Sequence, residues 1–407
     1  MKCEDRYMTA RHAAEALGVS VATLYSYVSR GMLRSLSVEG KPRVRRYPKD
    51  DVVSLIERKE FRREPGKAAE RGLHWGNPVL ESALTLINEG RLFYRGKDAL
   101  QLAQSSSVED VAALLWTGDS TQASNLFNKK FPGLPPKIVA LLNCAAHLGP
   151  VERCQLVLPI AAAVDLTAYD LRPPAVAKTG ARILRLLLSA IVRRSPTGPI
   201  DTALSQVWMP SRRSAAPALR AALVLCADHE LNVSAFTARC IASARATPYE
   251  VVIGALAALR GLRHGGASDQ VEALFEEAEQ TRKLRELFAK RLRLTEYLPG
   301  FGHPLYPGGD PRASMLISLA ETYGTRSAIE TANRMVRAAQ SLTGEYPNLD
   351  FGLVTLTRAL DLPPESSIAL FALGRTVGWI AHAIEQYADN QLIRPRARYI
   401  GPVSPVR

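Results

Sequence analysis

The sequence predicts a mainly α-helical protein, a large and nearly all-helical portion preceded by a small winged helix-turn-helix unit. Three observations carry this. From about residue 76 onward the chain is rich in Ala, Leu and Arg with helical apolar spacing broken by Pro and Gly, and strand-like alternation is almost absent. Residues 8–60 instead hold two short capped helices followed by two β-prone runs. The 407 residues, 47% hydrophobic and 22% charged, have the composition of a folded chain with room for two or three domains.

In the N-terminal unit, Thr9 is placed to cap a helix bearing Ala13, Ala14 and Leu17, with Gly18 as its left-handed stop. Ser20 opens a second helix with Val21, Leu24 and Val28 on one face, ended by Gly31. That spacing is a helix-turn-helix. SLSVEG and KPRVRRY then read as a hairpin about a turn at Glu39-Gly40-Lys41-Pro42, and Asp50 or Asp51 is expected to cap a third helix through Leu55 and Ile56. The unit is taken as residues 1–60, with 61–75 (FRREPGKAAERGLHW) as linker and 76–407 as the large portion.

Charge is unevenly spread. The formal net charge is +13, of which +5 falls in residues 1–70 and +8 in the remainder. KPRVRRYPK, residues 41–49, holds five basic residues and no acid, a patch suited to a polyanion. Thr23, Tyr25, Tyr27 and Arg30 fall largely off the apolar stripe of the second helix, where they can meet phosphates or base edges, while Arg43, Arg45 and Arg46 of the wing would grip the backbone. The other reading of this unit is a protein-contact appendage. The segment TARHAAEALGVSVATLYSYVSRGML resembles the DNA-binding module of the MerR and excisionase type.

Several function classes are excluded by what the chain lacks. Uninterrupted apolar runs such as LVLPIAAAV (156–164) and VVIGALAAL (251–259) fall short of the roughly 18–20 residues of a membrane span. MKCEDRY offers neither a secretory nor a transit signal, so a cytoplasmic protein is expected. Five cysteines without a CxxC pair argue against a disulfide framework or a zinc site and read as reduced core thiols. No phosphate loop, nucleophile elbow or HExxH motif is present, and GFGHPL lacks the third glycine of a dinucleotide fingerprint.

Three of the seven histidines stand in polar or glycine-rich settings that favour ligand chemistry: His229 in DHELN, His264 in GLRHGGA and His303 in PGFGHPLYP. His12, His74, His147 and His382 lack such surroundings and read as structural or surface groups.

From about residue 76 to 401 the sequence resembles the citrate synthase family, in the family's order. The resemblance runs through LESALTLINEGRLFYRGKDALQLAQSSSVEDVAALLWTGD, DHELNVSAFTARCIAS, GLRHGGAS, GFGHPLYPGGDPRA, YPNLDF, GRTVGWIAHAIEQ and IRPRARYIG. It implies an all-α fold of a large and a small domain, the small one spanning roughly 230–340. It also implies condensation of acetyl-CoA with oxaloacetate and water to give citrate and CoA, by enolisation, aldol-type addition and thioester hydrolysis. By motif match, Asp350 would be the base, His264 the stabiliser of the enolate oxygen and His303 the group that polarises and protonates the ketone. Arg312, Arg375 and Arg394 would bind the two carboxylates, Arg394 reaching in from the partner of a homodimer, and His229 would complete the pocket. No metal or resident cofactor is implied, acetyl-CoA being a cosubstrate.

Pro304 and Pro307 stand where many members carry basic residues for CoA phosphates. Arg282, Lys283, Arg285, Lys290, Arg291 and Arg293 are the candidates to serve instead, the other reading being an exposed helix face. Two other functions stay open: a 2-methylcitrate synthase using propionyl-CoA, and a transcriptional regulator with a metabolite-sensing, synthase-like domain.

Overall fold

The structure is a computed structural model describing residues 7–30, 32–38, 41–49, 51–52, 55, 80–127, 134–295, 297–397 and 399–402. The chain divides into two compact units, Met1–Glu81 and Ser82–Arg407.

In the first unit Thr9 caps the helix Ala10–Ala16 through its side chain, and Ser20 caps Val21–Ser29 in the same way. Gly18 between them has φ +62°, the left-handed value a tight turn demands. Strand Lys41–Pro48 is the centre of a three-stranded antiparallel sheet, flanked by Leu36–Val38 and by Tyr7–Thr9, a strand the sequence reading did not anticipate. Ala13, Ala14, Leu17, Leu24, Leu33, Tyr47, Val52 and Leu55 close a small core. Asp51 is helical, and its carboxylate takes the guanidinium of Arg34 at 2.7 and 2.8 Å. The anticipated roles of Gly31, Asp50 and Ile56, the turn at Glu39-Gly40 and the linker 61–75 lie outside the described residues.

Among the described residues the regular structure of the second unit is helical apart from one sheet and an isolated bridge between Phe301 and Pro347. Thr85–Asn88, Arg91–Tyr94 and Lys97–Asp98 form a three-stranded antiparallel sheet within a stretch expected to be nearly all-α. Its turn places Glu89 at φ +50° and Gly90 at +74°, the paired left-handed geometry of a two-residue hairpin loop. Alternation over only four residues a strand is too short to stand out from the helical background.

At the centre lies the helix Ser366–Asp389, 24 residues long, apolar enough to cross a membrane by composition yet buried along its candidate span within the fold. It is a core helix. Glycines let it approach the helix Ala216–Cys226: a Cβ at Gly374 would stand 2.5 Å from the Leu223 carbonyl oxygen, and one at Gly378 2.3 Å from that of Ala227. This close approach brings Arg375 and His382 against Asp228. A second apolar cluster, built around Phe275, Phe288, Phe301, Met335 and Phe351, joins the helices Ala267–Glu279, Leu284–Thr295, Arg326–Thr343 and Leu349–Ala359. Cys154 and Cys226 are buried as expected of core thiols, but Cys144 is exposed and Cys240 half-buried, because each sits on the outward side of its helix. Cys3 is outside the described residues.

Candidate active site

The loop that carries His303 is shaped by backbone. Gly300 and Gly302 have φ +85° and +76°, and a Cβ at Gly300 would press within 3.1 Å of Phe351 Cβ. The amide of Gly302 donates to the Tyr346 carbonyl and that of Asn348 to the Gly300 carbonyl, both at 2.9 Å, while Asn348 also caps Leu349–Ala359. The GFGH loop and the start of the Asp350 helix are thus one hydrogen-bonded piece.

His303 Nδ1 accepts the amide proton of Leu305 at 3.2 Å, so the neutral ring carries its proton on Nε2. Burial, then the nearby Arg312 charge, push its pKa down to about 4. Its ring centroid is 5.2 Å from that of His229 and 5.0 Å from that of Tyr306. The Tyr306 hydroxyl lies 3.0 Å from His229 Nε2. Burial drives that phenol up to about 12, so it keeps its proton beside the imidazole. Burial, reinforced by Arg312 and Arg375, holds His229 well below the ordinary imidazole value.

Two cations are fully enclosed. Arg312 is gripped by Asp310 through Nε at 2.9 Å and Nη2 at 2.7 Å and stacks over Tyr306. Burial disfavours its charge, and Asp310 more than restores it, leaving the guanidinium above its usual range. The same Asp310 carboxylate accepts the amide of Leu349 at 3.2 Å, tying this arginine to the turn that bears Asp350. Arg375 spends Nε on the Cys226 carbonyl at 2.6 Å and lies over Phe371. Among the described residues no hydrogen bond to its two terminal nitrogens is found, leaving a fork suited to a carboxylate.

Asp350 stands in the first turn of Leu349–Ala359. Burial lifts its carboxyl to about 6 against the opposing pull of a 2.7 Å hydrogen bond from Ser268 and the charge of Arg312. His264 Nε2 is 2.7 Å from the Ser234 hydroxyl, which also receives the Trp379 indole proton at 3.0 Å. Burial takes this imidazole down to about 3, and it meets Phe371 edge-on, the ring that also lies under Arg375.

Six expected residues, His229, His264, His303, Arg312, Asp350 and Arg375, therefore share one electrostatic neighbourhood. Arg394 does not join them in its own chain; it is exposed in the extended segment after Asp389. Sequence reasoning passed over Tyr306, Ser234, Ser268 and Asp228. Tyr306 lies inside the motif singled out for His303, and Ser268 one helical turn beyond His264. His382, read as structural or surface, is wholly buried with Nε2 3.2 Å from Asp228, whose other oxygen accepts from Thr85 at 2.5 Å. Burial pushes the Asp228 carboxyl up, and His382, Arg375 and Thr85 together outweigh it.

Pro304 and Pro307 are both exposed. Of the basic run near 282–293, Arg291 pairs with Glu277 and Lys283 with Glu286, whereas Arg282, Arg285, Lys290 and Arg293 face solvent. A separate cavity of about 900 Å³, lined by Arg220, Gly308, Gly309, Ser314 and Tyr346 among others, contains none of the imidazoles and not Asp350.

In the first unit Tyr25 and Arg30 are exposed, Tyr27 packs partly on the core, and Thr23 is half-buried with its hydroxyl 2.9 Å from that of Ser20. Arg45 is exposed and donates to Ser35 at 3.1 Å, and Arg46 is half-buried opposite Leu36. Arg43 lies on the same central strand, its side chain outside the described set.

Comparison with known proteins matches this geometry to a family. The family model described as citrate synthase, C-terminal domain, matches residues 72–396, and one described as helix-turn-helix domain matches residues 7–60. A citrate synthase of Synechocystis is 32% identical over 80% of this chain and 89% of its own. A 2-methylcitrate synthase of Corynebacterium glutamicum is 28% identical over 76% of this chain and 89% of its own. The crystal structure of citrate synthase from Thermotoga maritima superposes with a TM-score of 0.69 at 27% identity, covering 82% of this chain and 96% of that one. The motifs, the helical fold and these matches agree, and the chain belongs to the citrate synthase family, enzymes of acyl-CoA condensation.

Proposed function

We propose that this protein condenses acetyl-CoA with oxaloacetate to give citrate and CoA. The observation that carries the reading is the placement of Asp350, His264 and His303, with raised and lowered proton affinities, around two buried arginines. Asp350 removes a proton from the acetyl methyl. A carboxyl near pH 6 is a stronger base than an ordinary aspartate and is still ionised at neutral pH. The enolate oxygen receives a hydrogen bond from His264. Burial takes this imidazole down to about 3, so it stays neutral throughout and meets that oxygen as an uncharged donor. The carbanion attacks the ketone carbon, and His303 Nε2–H meets the developing alkoxide. Water then cleaves the thioester.

The dianion is held by what the arginines have not spent. Arg375 offers both terminal nitrogens; Arg312, whose Nε and Nη2 serve Asp310, offers Nη1. Arg394, exposed in its own chain, completes the set across a homodimer. The exposed Ile160, Val164, Leu166 and Tyr169 on neighbouring segments give such a dimer an apolar surface to cover. The compartment is the cytoplasm, where thioesters and reduced thiols such as those of Cys154 and Cys226 persist.

Thiol release from acetyl-CoA in the presence of oxaloacetate tests the reading. Release is expected, and its absence with both acetyl-CoA and propionyl-CoA would overturn it. A higher kcat/KM with propionyl-CoA would instead identify a 2-methylcitrate synthase, a distinction of one methylene worth about 1–3 kcal/mol.

A second reading concerns residues 1–60. The exposed Tyr25, Arg30 and Arg45 support duplex DNA as a partner. Retention of the full chain on DNA that weakens steeply with salt is the expected result. If binding were present and condensation absent, the larger unit would act as a metabolite sensor.

A further inference from the structure

Ser268 is wholly buried and aims its one hydroxyl proton at Asp350 Oδ1, 2.7 Å away. No other hydrogen bond to the Asp350 side chain is found among the described residues, so Oδ2 is unengaged. Ser268 is not an independent surface group that happens to touch a carboxylate. The amide of Ala267 donates to the His264 carbonyl at 2.9 Å and that of Ser268 to the Gly265 carbonyl at 3.1 Å, one continuous turn leading into the helix Ala267–Glu279. That turn admits no side chains at its glycines: a Cβ at Gly265 would lie 2.6 Å from Leu259 Cδ1, and one at Gly266 2.8 Å from the Arg260 carbonyl oxygen. The rigid piece that presents His264 therefore also presents the hydroxyl that meets Asp350.

We propose that Ser268 is the positioning residue of proton abstraction, pinning Asp350 Oδ1 so that Oδ2 is the oxygen turned to the substrate methyl. In that step the C–H electron pair moves into the enolate, the proton passes to Oδ2, and Ser268 keeps its own proton throughout. The proposal rests on Asp350 being the base. It adds a second consequence: a donor that favours the ionised carboxylate opposes the burial that disfavours it, and so sets where the base becomes protonated.

The test is the pH dependence of kcat with acetyl-CoA and oxaloacetate for the native chain, Ser268→Ala, Ser268→Thr and Asp350→Asn. In Ser268→Ala the acid limb is expected to move up by about one pH unit, because a lost hydrogen bond to the charged form raises the carboxyl's pKa. The plateau rate above it falls roughly tenfold from lost positioning. Ser268→Thr, which keeps the hydroxyl, retains the native limb. An unmoved limb in Ser268→Ala, or a limb in Ser268→Thr that moves with it, overturns the proposal. Should the alanine variant not fold, Ser268→Cys, nearly isosteric and a weak donor, is read by the same displacement. Asp350→Asn separates the two ideas: native rate and limb in that variant would refute the base assignment itself, whereas its loss of activity beside an unmoved Ser268→Ala limb refutes only the role of Ser268.

Discussion

The arginines of the two units show how differently one kind of residue can be held. In the N-terminal unit Arg30 and Arg45 stand in solvent, and Arg45 makes a single contact to a serine hydroxyl. In the larger unit Arg312 and Arg375 are almost completely enclosed and each has part of its donor set committed to the protein, Arg312 to a carboxylate and Arg375 to a backbone carbonyl. An exposed cation is screened within about 8–10 Å by physiological salt and acts through number and spacing, as a polyanion requires. A buried, oriented guanidinium acts through the few donors it has left, as a small dianion requires. The surplus of +13 is one number in the sequence but two devices in the molecule.

The sharpest way to break this comparison is at the base, where burial matters most. Asp350→Asn is expected to lower kcat by about 10²–10⁴-fold, measured by thiol release, with DNA retention unchanged. Next in size is the effect expected of the proposed cross-subunit Arg394. Arg394→Ala alone should raise KM for oxaloacetate by about 10–10³-fold. Mixed and reassembled with Asp350→Asn, it should regain roughly a quarter of native activity, because each mixed dimer holds one intact site. No recovery on mixing would place Arg394 outside a shared site.

A smaller effect is expected of the exposed cations. Replacing Arg43, Arg45 and Arg46 by alanine should reduce the slope of log affinity against log salt by about three while leaving kcat/KM for condensation alone. The mildest test uses stability. His229, His264 and His303 have folded-state proton affinities below the unfolded value, so between about pH 4 and 6 the unfolded chain binds protons there that the native chain does not. Asp350, raised to about 6, works in the opposite sense over the same window. Among these four groups the histidines outweigh Asp350, so their joint contribution to stability should fall as pH drops from 6 towards 4. Asp350→Asn should steepen that fall, as followed by thermal melts.

Much of the fold could be read from local chemistry. Thr9 and Ser20 as caps, Gly18 as a left-handed stop and the apolar spacing of the long helices are each decided within a turn of chain. The hairpin Thr85–Tyr94 escaped because four residues of alternation compete poorly with the helical composition around them, even with Glu89-Gly90 marking its turn. In the site, His264, His303, Asp350 and the arginines were marked by motif. Their partners were not: Ser268 and Ser234 are ordinary serines in ordinary helical positions until folding sets them beside a carboxylate and an imidazole.

The sequence by itself determined which residues can do the chemistry, where helices begin and end, and that basic charge is concentrated in the wing. Tertiary structure alone decided the protonation states and unspent donors on which that chemistry depends. The Asp350 carboxyl is lifted to about 6 because protein surrounds it, while one serine, 82 residues away in the chain, opposes the effect of that burial. His382, unremarkable in sequence, becomes a buried partner of Asp228 because Gly374 and Gly378 let two helices meet at backbone distance. Desolvation and hydrogen bonding act through space, and spatial neighbours separated by long stretches of chain leave no local pattern to read.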